Sequence, residues 1–113
     1  MALKRMALQI GMGTDIRGVN PTTAAKRALE DAIRRNALTV AKAFGQEPEA
    51  MHVEVLIGVP QPDAVDRAEV LSVLPYGTAT IEVVEGGLAI PHEGRDDATL
   101  IAHAATVVRL ELA

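Results

Sequence analysis

Asp15 and Arg17 stand two residues apart in QIGMGTDIRGVNPTTAAKRAL, residues 9–29, a stretch that sets three glycines between an apolar run and a helix start. Arg17 is a permanently charged planar fork of donors, suited to a carboxylate or a phosphate. Asp15 is the acid–base group within the segment and the candidate catalytic residue. Asn20 is a good N-cap, Pro21 suits the first helical position, and the amides at Thr22, Thr23 and Ala24 then favour an anion. The candidate ligand-binding set is Gly11, Gly13, Arg17, Gly18, Asn20, Thr22 and Thr23. Tyr76, the only tyrosine, precedes a strand in LPYG and joins the candidate set as a phenol donor. A plainer reading stands beside this one: the glycines allow a tight turn and Asp15 ties up loop amides.

Two nucleotide motifs fail on this segment. A dinucleotide fingerprint needs G-x-G-x-x-G, but after Gly11 and Gly13 the third position is Ile16, and Gly18 comes two residues late. A Walker loop ends in G-K-[ST], and here Gly18 is followed by Val19 and Asn20. Elsewhere, His92, Glu93, Asp96 and Asp97 share the loop PHEGRDD; their oxygens and imidazole are of the kind that hold a divalent metal, but the expectation is a solvated charge cluster, because Gly94 and Arg95 interrupt it. No metal site and no cofactor is assigned. His103, among alanines, reads as a buried histidine, and His52 shares a strand with Glu54 and faces the same way. Ser72, the only serine, lies inside a helical run, which argues against a serine triad.

The elements that must hold these groups follow from periodicity. Residues 4–10 alternate, with Met6, Leu8 and Ile10 on one face and Arg5, Ala7 and Gln9 on the other. Residues 21–44 carry helical spacing with (i, i+4) pairs Glu30–Arg34 and Asp31–Arg35; Asn36 marks a kink or restart, and Gly45 a C-terminal stop. Residues 51–58 form a strand with Met51, Val53, Val55 and Ile57 on one face. A short helix spans roughly 62–73, a strand 78–84 is closed by Glu85-Gly86-Gly87, LAIP adds a short strand, and residues 104–112 form the last. The run DDATLIAHA fits either strand or helical turn.

The expected fold is α/β, a single domain over 1–113: a two-layer sandwich with a mixed sheet of four to five strands and one long and one short helix on one face. A strand–helix–strand unit makes its strands parallel, and the closing strands add as an antiparallel pair. Arg5, Gln9, His52, Glu54, Thr80, Glu82, Arg109 and Glu111 would make the outer sheet face polar. That face is either solvated or lines the centre of a homo-oligomer.

Composition limits the functions. The chain of 113 residues is 49% hydrophobic and 2% aromatic, so its core is aliphatic. A net charge of −4 and the lack of base-stacking aromatics argue against nucleic acid. With no cysteine, disulfides, zinc–thiolate sites and thiol nucleophiles are excluded. The opening MALKRMALQIG reads as neither signal peptide nor membrane span, so a cytoplasmic location and no membrane partner are expected.

The segment also resembles the signature of a small conserved family of uncharacterised proteins, Gly-x-Gly-x-Asp-x-His-Gly ahead of a long helix, here Gly11, Gly13, Asp15, Arg17 and Gly18. VEVLIGVPQPDAVD, VLPYG and VEGGLAIP extend the resemblance over nearly the whole chain. The resemblance implies no activity. Arg17 replaces the signature histidine. Asp-x-His is also similar to the metal-binding pair of cyclodiphosphate synthases, but arginine cannot ligate a cation. The substitution therefore favours an anion over a metal. The expected function is a homo-oligomeric protein with a small-anion site, enzymatic or not. The alternatives are a non-catalytic accessory subunit and a purely structural oligomer.

Overall fold

The computed structural model describes residues 2–17, 20–34, 40–75 and 77–112. It is a two-layer α/β sandwich. The strands are β1 (Ala2–Asp15), β2 (His52–Val59), β3 (Thr78–Glu85), β4 (Leu88–Pro91) and β5 (Ala98–Leu112), and the helices are α1 (Pro21–Arg34), α2 (Val40–Ala43) and α3 (Arg67–Leu71). The sheet runs β1-β5-β2-β3, with β4 paired to β5. β5 is antiparallel to β1, β2 and β4, while β2 and β3 are parallel. The expected parallel relation of the first two strands holds in direction, but β5 is inserted between them. The third strand lies parallel to the second across the crossover that contains α3, as a strand–helix–strand unit requires, and the closing strands β4 and β5 pair antiparallel. DDATLIAHA is extended and makes β5 long.

The core lies between α1 and the sheet. α1 buries Ala24, Ala25, Ala28, Leu29 and Ala32, and β2 buries Val53, Val55, Ile57 and Val59 beneath it. Each buried Val, Leu or Ile contributes about 1.5–3 kcal/mol. The alanine stripe lets the helix approach so closely that the strand below it needs glycine. A Cβ on Gly13 would stand 2.6 Å from the Ala24 carbonyl oxygen, and one on Gly11 would stand 2.8 Å from Ala32 Cα. Asn20 starts the helix as expected, its side-chain oxygen accepting from Thr22 N at 3.0 Å. Gly45 ends the following helical turn with φ +73°, a left-handed position that glycine takes without strain. Asn36 and Arg35 fall outside the described residues. Arg34 pairs with Asp31 at 3.3 Å, where Glu30 was the expected partner. The helix expected over 62–73 is split: a single 3-10 turn, Pro62–Ala64, precedes α3, which Asp66 caps.

The faces of β1 differ from the expected alternation. Arg5 lies opposite Arg109, but Ala7 lies opposite Val108, so one extra residue is accommodated between them. This β-bulge reverses the inward and outward positions beyond it. Gln9 turns inward and is 2% exposed, accepting a hydrogen bond from Thr106 Oγ1 at 2.9 Å. Leu8, Ile10 and Met12 turn outward, and Ile10 is 64% exposed. The open face is consequently apolar at its centre, across Leu8, Ile10, Leu56, Val84 and Val107. The expected polar groups other than Gln9 lie at its margins. Among them, Glu54 pairs with Arg109 at 3.3 Å, where His52 was its expected neighbour, and His103 is exposed on this face, opposite Met12.

Candidate functional site

The turn after β1 is shaped by three neighbours. First, α1 runs back over β1: Ala32 and Ala28 cover Gly11, and Ala28 and Ala24 cover Gly13. Asp15, two residues beyond Gly13 at the end of β1, is half-buried. Gly11 and Gly13 thus have a packing reason for being glycine. Second, α1 reaches around the free edge of β1. Asp31 Oδ2 accepts from Met12 N at 2.9 Å, and Arg27 Nη1 donates to the Thr14 carbonyl at 2.7 Å. The Arg27 guanidinium therefore sits beside the residue preceding Asp15.

The third neighbour is the β4–β5 loop. Thr99 Oγ1 donates to the Ile16 carbonyl at 3.1 Å, and His92 Nε2 lies 2.9 Å from that same hydroxyl. His92 Nδ1 lies 2.7 Å from Asp97 Oδ1, and Arg95 Nε lies 3.6 Å from the same oxygen. A continuous polar chain therefore runs from Arg95 through Asp97, His92 and Thr99 to the backbone between Asp15 and Arg17. The hydrogen bond from His92 holds the Asp97 carboxyl below its ordinary value; partial desolvation opposes this, and the Arg95 charge assists it. His92 and Asp97 are thus bonded to each other, and among the described residues no three histidine or acidic groups converge as metal ligands.

The remaining predicted residues are distributed as follows. Arg17 is exposed, and among the described residues no ion pair joins it to Asp15 or to any other carboxylate. Thr22 is buried, and its Oγ1 accepts from Asp66 N at 2.9 Å, which fastens α3 to the start of α1. Thr23 is half-buried beside it, and the Thr22 amide is already met by Asn20. Gly18 and Tyr76 lie outside the described residues. The sequence reading missed Arg27, Thr99 and the ordered role of His92. Arg27 belongs to the same helix as the packed alanines, but the contact of Thr99 with Ile16 depends on the pairing of β5 with β1, which joins positions 83 residues apart.

Three depressions lie on the open face of the sheet. One of about 540 Å³ is lined by Leu8, Glu54, Leu56, Thr80, Glu82 and Val107. No helix among the described residues is long and apolar enough to cross a membrane.

The fold and this turn define a small α/β protein with helices on one face of a mixed sheet and polar loops gathered at one end. The chain belongs to the Lin0512_fam family of conserved hypothetical proteins, whose profile matches residues 5–108. It is similar to a crystal structure of an FtsZ-like protein of unknown function from Nostoc punctiforme, with 41% identity, a TM-score of 0.89 and 99% of each chain covered. None of the curated proteins matches it.

Proposed function

We propose that this protein is a homo-oligomer that binds a small carboxylate or phosphate at the turn between β1 and α1. The observation that carries the oligomer is the open sheet face. The accessible surface is 6502 Å², several hundred square ångströms above the roughly 6,000 Å² of a monomer of this mass. Leu8, Ile10 and Met12 are each more than half exposed. From strand spacing and rise, the face measures roughly 700 Å² in projection, close to the ~800 Å² that one partner gives to a standard interface. Light scattering tests this. The wild type is expected as a dimer or larger, and Ile10→Asp as a monomer with an unchanged circular dichroism spectrum. A monomeric wild type at tens of micromolar would sink the oligomer.

The anion reading is supported by two guanidinium groups at one short turn, Arg27 on the Thr14 carbonyl and Arg17 exposed three residues further along. A structural oligomer without a ligand is the second reading. It is favoured by Gly11, Gly13 and Thr22, each of which the fold uses for its own packing. A thermal-shift series with sulfate, phosphate and small carboxylates separates them, because a ligand that binds only the folded state raises the melting temperature. The wild type is expected to respond, and Arg17→Ala to lose the response while keeping the unliganded melting temperature. A fall in that unliganded temperature with no anion response in either protein would support the structural reading.

A further inference from the structure

The polar chain behind the turn satisfies all its acceptors when His92 is protonated and has one hydrogen too few when His92 is neutral. Nδ1 faces the acceptor-only carboxylate of Asp97 at 2.7 Å, so it carries a hydrogen whether the ring is charged or neutral. The hydrogen that distinguishes the two charge states of the ring is then the one on Nε2. When it is protonated it donates to Thr99 Oγ1, and the Thr99 hydroxyl is free to donate to the Ile16 carbonyl at 3.1 Å. When it is deprotonated it becomes an acceptor 2.9 Å from that hydroxyl, nearer than the Ile16 oxygen. A hydroxyl has one hydrogen and cannot serve both.

The Ile16 carbonyl and the Arg17 N–H belong to one peptide group. Because that group is planar and trans, holding the carbonyl on Thr99 fixes the Arg17 N–H in the opposite direction. We propose that His92 is a positioning residue for the turn: its proton decides whether Thr99 holds the Ile16 carbonyl, and with it the backbone of Arg17. Resting on the anion reading above, the inference names the regulation of that site, since an oxyanion would bind together with a proton. Asp97 is bonded to His92 and Arg95 lies on the same carboxylate, Glu93 and Asp96 share the loop, and Thr99 links the ring to the Ile16 carbonyl, between Asp15 and Arg17 in the chain. The added positive charge of the imidazolium, two hydrogen bonds from the Ile16 carbonyl, works in the same direction, towards tighter anion binding at lower pH.

The first test needs no anion. The His92 ring and the Arg17 amide are followed by nuclear magnetic resonance from about pH 5 to about pH 8, the range in which histidine ordinarily titrates. In the wild type the Arg17 amide is expected to move with the midpoint of His92. In Thr99→Val the ring should still titrate while the amide stops following it, and Thr99→Ser should restore the coupling. An Arg17 amide that ignores His92 in the wild type, or follows it equally in Thr99→Val, overturns the inference. The second test measures sulfate, whose charge is constant over this range, at matched ionic strength. Binding is expected to be roughly five-fold or more tighter at the acid end, and equal binding at both ends overturns the inference. If the amide coupling holds and sulfate binds at neither pH, the His92 device stands and the anion reading falls.

Discussion

On β1, Gly11 and Gly13 lie against the backbone of α1, while Ile10 and Met12, one residue away, face outward with more than half their surface exposed. The inward side is packed backbone to backbone and admits no added atom. The outward side is apolar yet uncovered within one chain. A strand ordinarily puts its large apolar residues inward and its polar ones outward. Here the small residues and a buried glutamine are inward, and the large aliphatic ones are outward. The inward side is shaped by a helix of the same chain, and the outward side is the face on which the proposed oligomer would form.

Substitutions can break this contrast, and their effects should fall in order. Gly13→Ala places a methyl group against the Ala28 and Ala24 backbone and is expected to cost about 3 kcal/mol, lowering the melting temperature by roughly 12 °C. A loss under a quarter of that would mean that α1 moves away freely. Thr106→Val removes the donor to the buried Gln9 and should cost about 1–2 kcal/mol, measured by urea unfolding. Ile10→Asp, on the other side of the same strand, should leave the stability of the monomer within about 0.5 kcal/mol while reducing the mass seen by light scattering. A large destabilisation of the monomer by that change would erase the distinction between the faces.

The smallest effect belongs to the polar chain at the end of the sheet. The Asp97 carboxyl is held below its ordinary value of 3.8 by His92. A lowered folded value adds stability above the ordinary value, and that stability is lost as pH falls through it to the lower folded one. Asp97→Asn should therefore flatten the acid limb of stability against pH and leave the limb above neutrality unchanged. An identical acid limb in both proteins would show that the His92–Asp97 bond contributes nothing to folding.

Much of the fold was legible because it follows from local rules. The alternation of β2, the alanine spacing of α1, the Asn20 cap and the glycine at position 45 each act within a few residues. The two-layer α/β class follows from their order. The face of β1 was misread because a bulge between Arg5 and Ala7 leaves no mark in an alternating sequence. In the site, Asp15 and Arg17 were visible by type and spacing. Arg27 was hidden in a helical repeat, and the Thr99–His92–Asp97 chain was hidden because it reaches the turn only after β5 pairs with β1.

The sequence by itself determined the aliphatic core, the order and kind of most elements, and the presence of a carboxylate and a guanidinium at a strand-to-helix turn. Those properties come from composition and from periods of two and 3.6 residues, which a single segment carries alone. Tertiary structure decided the insertion of β5 between β1 and β2, the exposure of Leu8, Ile10 and Met12, and the link from His92 through Thr99 to the backbone of Ile16. Each depends on pairing between distant segments, and register and hydrogen-bond direction exist only once both partners are in place.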